Sequence, residues 1–136
     1  MAEATRAVQA LRSGRRTARR AQLLVPGDEH RKAVAAALEG LGLEVREAGP
    51  GAAWDAEADA LVLSASLVDS ALADRVAAAR EARPQLQVLV VSDRRSLDDD
   101  IAALQVGARA LVPLPLEPRA LRESLAGGLG LLPERA

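Results

Sequence analysis

Three groups of residues have types and spacings that chemistry uses. Ser64 closes the apolar run Asp59-Ala60-Leu61-Val62-Leu63-Ser64. A short Leu/Val-rich run that does not alternate fits a strand buried on both faces, and in sheets of such strands ligands and reactions sit at the carboxyl ends. A serine there needs a base beside it to act as a nucleophile, and the only histidine in the chain is His30. The second group, Asp98-Asp99-Asp100, looks like a metal site. Successive helical side chains point apart, so the three do not converge on one ion and read instead as partners of a helix dipole. The third group is Arg12, Arg15, Arg16, Arg19 and Arg20, with no acid among residues 12–20. Such a tract is a solvated tail or an electrostatic contact for nucleic acid, an anionic membrane or an acidic protein.

A strand ending at Ser64 needs neighbours. Residues 21–25 read as a first strand, broken by Pro26-Gly27. Asp28 is placed to cap the following helix, in which Val34, Leu38 and Leu41 recur at helical spacing. Leu43-Glu44-Val45-Arg46 alternates, as a strand near a sheet edge does. Residues 52–58 leave room for a turn or two of helix, with Trp54 over the sheet as core packing. Beyond Ser64 a helix is expected between Ser66 and Ala82, with Leu72, Val76 and Ala79 inward, stopped by Pro84. Val88-Leu89-Val90-Val91 is the next strand and delivers Ser92-Asp93 to its carboxyl end. Ser96 and Asp99 form a capping-box-like start to a helix whose buried stripe is expected to be Leu97, Ile101 and Leu104. Residues 109–112 make the last strand. Pro118 opens a final helix with Leu121, Leu125 and Leu129 inward, frayed by Gly127-Gly128. This alternation predicts a single doubly wound five-stranded parallel sheet with helices on both faces and right-handed crossovers. Val25-Pro26-Gly27-Asp28 matches neither a dinucleotide fingerprint nor a phosphate loop.

Composition narrows the function classes. The 136 residues suit one domain. With no cysteine, disulfides, Cys-based zinc sites and Cys nucleophiles are excluded. One Trp and no Phe or Tyr leave almost nothing to stack on bases. No apolar run approaches the roughly 20 residues of a membrane span. A soluble, cytoplasmic protein is expected. Its organisation is expected to be a basic arm at residues 1–20, a domain at 21–130 and a tail at 131–136.

With these elements in place, residues 21–129 resemble the receiver (CheY-like) domains of bacterial response regulators. The resemblance rests on Leu41-Gly42-Leu43-Glu44-Val45, Asp59-Ala60-Leu61-Val62-Leu63, Ala103-Leu104-Gln105-Val106-Gly107-Ala108 and Leu114-Pro115-Leu116-Glu117-Pro118. It implies the CheY/flavodoxin-like fold and a set of site positions. A working receiver has an acid pair after the first strand for Mg²⁺, an Asp acceptor ending the third, a Ser/Thr after the fourth, and a Lys before a conserved cis Pro. Here the acceptor position falls on Ser64, the Lys position on Leu114 and the aromatic switch position on Leu111. The acid pair falls near Val25-Pro26, or by a small shift near Gly27-Asp28; Ser92 and Pro115 match.

The resemblance therefore implies a degenerate receiver, a pseudo-receiver without enzymatic activity, metal or cofactor. It would act in signalling as a protein-interaction module. The family's usual face is formed by the fourth helix (97–106 here), the fifth strand (108–112) and the fifth helix (118–129), and a homodimer through it is a second form. The contact candidates are Leu97, Leu111, Leu114 and Leu116, with the loop residues Leu114 and Leu116 preferred over Ile101 and Leu104 as surface positions. Two alternatives stand beside this reading. One is anion or nucleic-acid binding through Arg12, Arg15, Arg16, Arg19 and Arg20. The other is phospho-acceptance at a site rebuilt from Asp28, Glu29, Asp69 or Asp93.

Overall fold

The computed structural model describes residues 19–48, 54, 57–93, 96–114 and 117–130. Arg12, Arg15, Arg16, Pro115, Leu116, the expected cis Leu114-Pro115 bond, most of the short helix expected at 52–58, and the tail 131–136 lie outside the described residues.

Strand β1 (Arg20–Leu24) leads into α1 (Asp28–Gly40), β2 (Glu44–Glu47), β3 (Ala60–Ser64) and a 3₁₀ turn (Ala65–Leu67). Then come α2 (Ser70–Ala82), β4 (Gln87–Ser92), α3 (Leu97–Gln105), β5 (Ala110–Pro113) and α4 (Pro118–Gly128). The strands form one parallel sheet in the order β2-β1-β3-β4-β5. The apolar runs become its centre: Leu63 pairs with Val90, and both are fully buried. Alternation along each strand splits the core in two. Leu23, Val62, Leu89 and Val91 pack with Val34, Leu38, Leu121 and Leu125 under α1 and α4. Leu24, Leu61, Leu63, Val88 and Val90 pack with Leu72, Val76, Ala102 and Val106 under α2 and α3. β2, the charged run Glu44-Val45-Arg46-Glu47, lies at an edge as its alternation implied, and its exposed charges discourage further pairing. Gly128 stays within α4 and is buried; a Cβ there would meet Leu89 Cδ2 at 2.9 Å, so the glycine lets α4 lie close on the sheet.

Four expectations need correction. Asp28 is the first residue of α1 and not its cap: Gly27 holds the cap position at φ 85°, a conformation natural to glycine. The helix expected from Ser66 starts at Ser70, because the Asp69 side chain accepts from Leu72 N–H at 2.8 Å and caps it there. Arg20 belongs to β1 and not to an arm; its guanidinium lies 3.2 Å from Glu57 and 3.6 Å from Glu44. The largest correction concerns α3. Leu97, Ile101 and Leu104 face outward, 72%, 45% and 80% exposed, while Ala102 and Val106 are buried against the sheet. The Ser92 hydroxyl of β4, bonded to Asp99, holds the Asp99, Ala102 and Val106 side of the helix toward the sheet.

Candidate functional site

The carboxyl ends of β1, β3, β4 and β5 bring Val25, Ser64, Ser92 and Leu114 to one edge of the sheet. Parallel pairing sets Leu24 beside Leu63 and Ser64 beside Val91, so the sequence positions named for the site do share one end.

Ser64 is half-buried and caps the 3₁₀ turn. Its Oγ accepts from Ser66 N–H at 3.3 Å and lies 2.9 Å from Ser66 Oγ. These neighbours are neutral hydroxyl and amide groups, and neither is a base that would make Ser64 a nucleophile. Ser92 is 4% exposed and donates its hydroxyl hydrogen bond to Asp99 Oδ2. At this edge the Ser92 hydroxyl is held by a carboxylate of the protein's own α3.

The acids of this end are dispersed. Asp28 is exposed and paired with Arg31, whose Nε lies 3.0 Å from Glu47. Asp69 serves as the α2 cap, and Asp93 is exposed. Asp98, Asp99 and Asp100 occupy the first turn of α3, where negative charge offsets the helix dipole. Among the described residues no group of three or more His, Asp or Glu is placed to hold an ion.

Leu114 is half-buried and packs against the α1/α4 core, and Leu111 packs against the α2/α3 core. Leu114 is thus less available than its expectation as a surface position held, and Ile101 and Leu104 are more so. Arg19 is exposed. The Ser92–Asp99 bond was missed in the sequence, where its signal is slight: two residues seven apart, spanning a strand end and a helix start. The outward stripe of α3 was missed because a second helical stripe, Asp99, Ala102, Ala103 and Val106, competes with it. Trp54 is half-buried, with the Arg75 guanidinium 4.2 Å from its ring centroid.

No family model and no curated protein matches the chain. Solved structures do. A chemotaxis response regulator of Vibrio cholerae is 17% identical, with a TM-score of 0.64 over 83% of this chain and 100% of that one. A response regulator of Thermotoga maritima is 19% identical, with a TM-score of 0.63 over 83% of this chain and 98% of that one. A pilus assembly-related protein of Burkholderia pseudomallei is 19% identical, with a TM-score of 0.61 over 87% of this chain and 94% of that one. Strand order, helix placement and these likenesses agree: the chain has the fold of the CheY-like response-regulator receiver domains.

Proposed function

We propose that this chain is a receiver-fold interaction module of bacterial signalling or regulation that docks a protein partner without phosphoryl transfer. The observation that carries the reading is the stripe Leu97, Ile101 and Leu104 on α3. Burying a large aliphatic side chain contributes about 1.5–3 kcal/mol. The fold leaves three of them exposed on one helix face while Ala102 and Val106 fill the inner side. Scattered exposed leucines are ordinary; three in line at i, i+4 and i+7 form a patch that fits a partner.

The site chemistry supports independence from phosphate. A phospho-accepting receiver needs a carboxylate nucleophile, a divalent ion to offset charge and a cation for the transferred group. Ser64 stands at the first position, Leu114 at the third, and Asp28 is paired with Arg31. A symmetric pair of chains meeting through α3, β5 and α4 is a second form of the same reading. Response regulators and a pilus assembly-related protein share the fold, so fold alone does not choose the pathway.

The test is capture of partners from the native cell with the full-length chain, beside Ile101→Glu and Leu104→Glu. Both variants are expected to keep the wild-type urea midpoint and lose the captured protein. Capture unchanged by either substitution would overturn the reading.

A further inference from the structure

We propose that the recess beside Trp54 binds a small, mostly apolar planar molecule that carries an acceptor oxygen. The site is separate from the docking face of α3 and stands without it.

The sheet and α2 make the space. In the sheet Gln22 stands between Arg46 and Leu61, on the face that carries α2, since Leu24 two residues on packs in the α2/α3 core. Ala21 and Leu23 on either side of it are fully buried, and Gln22 itself is 2% exposed. A buried amide in a central strand is out of place in a uniformly apolar core, and here it lines a recess. α2 turns Arg75, Ala79 and Ala82 toward the same place, followed by Arg83 just past its end. These positions, at i, i+4, i+7 and i+8, share one helix face. Two alanines between two arginines leave the apolar middle of that face unfilled. The result is a cavity of about 290 Å³, bounded also by Trp54, Leu61 and Leu86. An engineered apolar cavity of about 150 Å³ takes benzene, so this one has room for two fused rings. Trp54, Arg75 and Arg83 are half-buried, and the recess reaches the surface between them.

The polar groups on the walls select the ligand. An indole N–H only donates, and when buried it usually has an acceptor. Trp54 Nε1 is buried, and among the described residues it has no hydrogen-bond partner. Gln22 Nε2 donates to Arg46 O at 3.1 Å. Arg83 lies 3.1 Å from Asp59 Oδ1, and Asp59 Oδ2 accepts from Arg20 N–H at 2.9 Å, so the Arg83 charge is answered within the protein. The Arg75 guanidinium lies 4.2 Å from the centroid of the Trp54 ring. Arg80 donates to Val106 O and does not line the recess. Among the described residues no Asp or Glu lines it either. A mostly apolar wall with a buried, unanswered donor is the pattern of a small-molecule site, and it calls for an acceptor on the ligand.

Trp54 is the chain's single tryptophan, so its indole N–H gives one NMR signal that reports on this place alone. The test titrates 2-naphthoate, and separately 2-naphthylmethylammonium, into the full-length protein. With 2-naphthoate, saturable shifts are expected at the indole N–H and at the amides of Leu61, Ala79 and Leu86. The ammonium compound, which has the same rings and no acceptor, is expected to bind at least several-fold more weakly. Trp54→Phe keeps a ring and removes the donor, and is expected to weaken 2-naphthoate several-fold, read at the Leu61 amide. Ala79→Leu fills the recess and is expected to abolish the shifts at an unchanged urea midpoint. Ala82→Leu, at the exposed rim, makes the same test if Ala79→Leu unsettles the fold. No saturable shift at the indole N–H would overturn the proposal, because water would then be that group's partner. Equal binding of the ammonium compound, equal binding by Trp54→Phe, or shifts that survive both leucine substitutions would each do the same. Leu104→Glu is expected to leave 2-naphthoate binding unchanged, so loss of the docking face and loss of this site are read separately.

Discussion

Ser92 and Asp99 form the most consequential pair of side chains at the carboxyl edge. The serine is buried in the last position of β4, and the carboxylate that accepts from it belongs to the first turn of α3. A hydrogen bond to a charged acceptor contributes about 1.5–3 kcal/mol. Asp99→Ala is expected to lower stability by about that amount in urea melts and to raise amide exchange of α3 ahead of global unfolding. Equal exchange would mean that the bond does not pin the helix. Ser64 is a milder case. Its hydroxyl serves only Ser66 among the partners described above, so Ser64→Ala is expected to change stability by about 1 kcal/mol or less. Ser64→Asp, given acetyl phosphate and Mg²⁺, is expected to gain no phosphate mass, because Leu114 and the Asp28–Arg31 pair remain. A phosphate adduct on that variant would show a latent metal site in which one residue had been lost. Ser64 was legible in the sequence as the end of an apolar run, and its role as an acceptor position came from the resemblance. The Ser92–Asp99 pair was not legible, since chain spacing alone does not say that a helix start folds back over the strand it follows.

At the scale of elements, β3 and β4 were readable because continuous Leu/Val runs leave a buried parallel strand as the simplest outcome. Leu63→Ala is expected to cost about 2–4 kcal/mol, and Val90→Ala somewhat less. A loss under about half a kcal/mol for either would contradict the central placement. The rotation of α3 was not readable, since two stripes at helical spacing compete in one nine-residue helix. The larger side chains suggested one answer; the structure has the other, with Ala102 and Val106 inward and Asp99 on their side bonded to Ser92. The outward set gives a sharp contrast. Leu104→Ala is expected to leave stability within about 0.5 kcal/mol, whereas Leu125→Ala, fully buried in α4, costs about 2–4 kcal/mol. Equal losses at the two positions, measured by chemical denaturation, would place Leu104 in the core. The start of α2 was misjudged for a local reason: Ser66 resembles a cap, but the Asp69 carboxylate makes the bond to the helix amides.

Across the whole molecule, the sheet and its two helical layers keep the form of a receiver, while the groups that would run its chemistry are neutral, paired or dispersed. No helix among the described residues is long and apolar enough to cross a membrane. The proposed contact role rests on two features together, Ser64 and Leu114 at the edge of the sheet and the exposed apolar stripe of α3. The most direct test of that claim is intact-mass analysis of the unaltered protein after incubation with acetyl phosphate and Mg²⁺, with the captured partner's affinity measured before and after. The expected result is an unchanged mass and an unchanged affinity. A phosphate adduct on the unaltered chain, accompanied by a change in partner binding, would contradict the account.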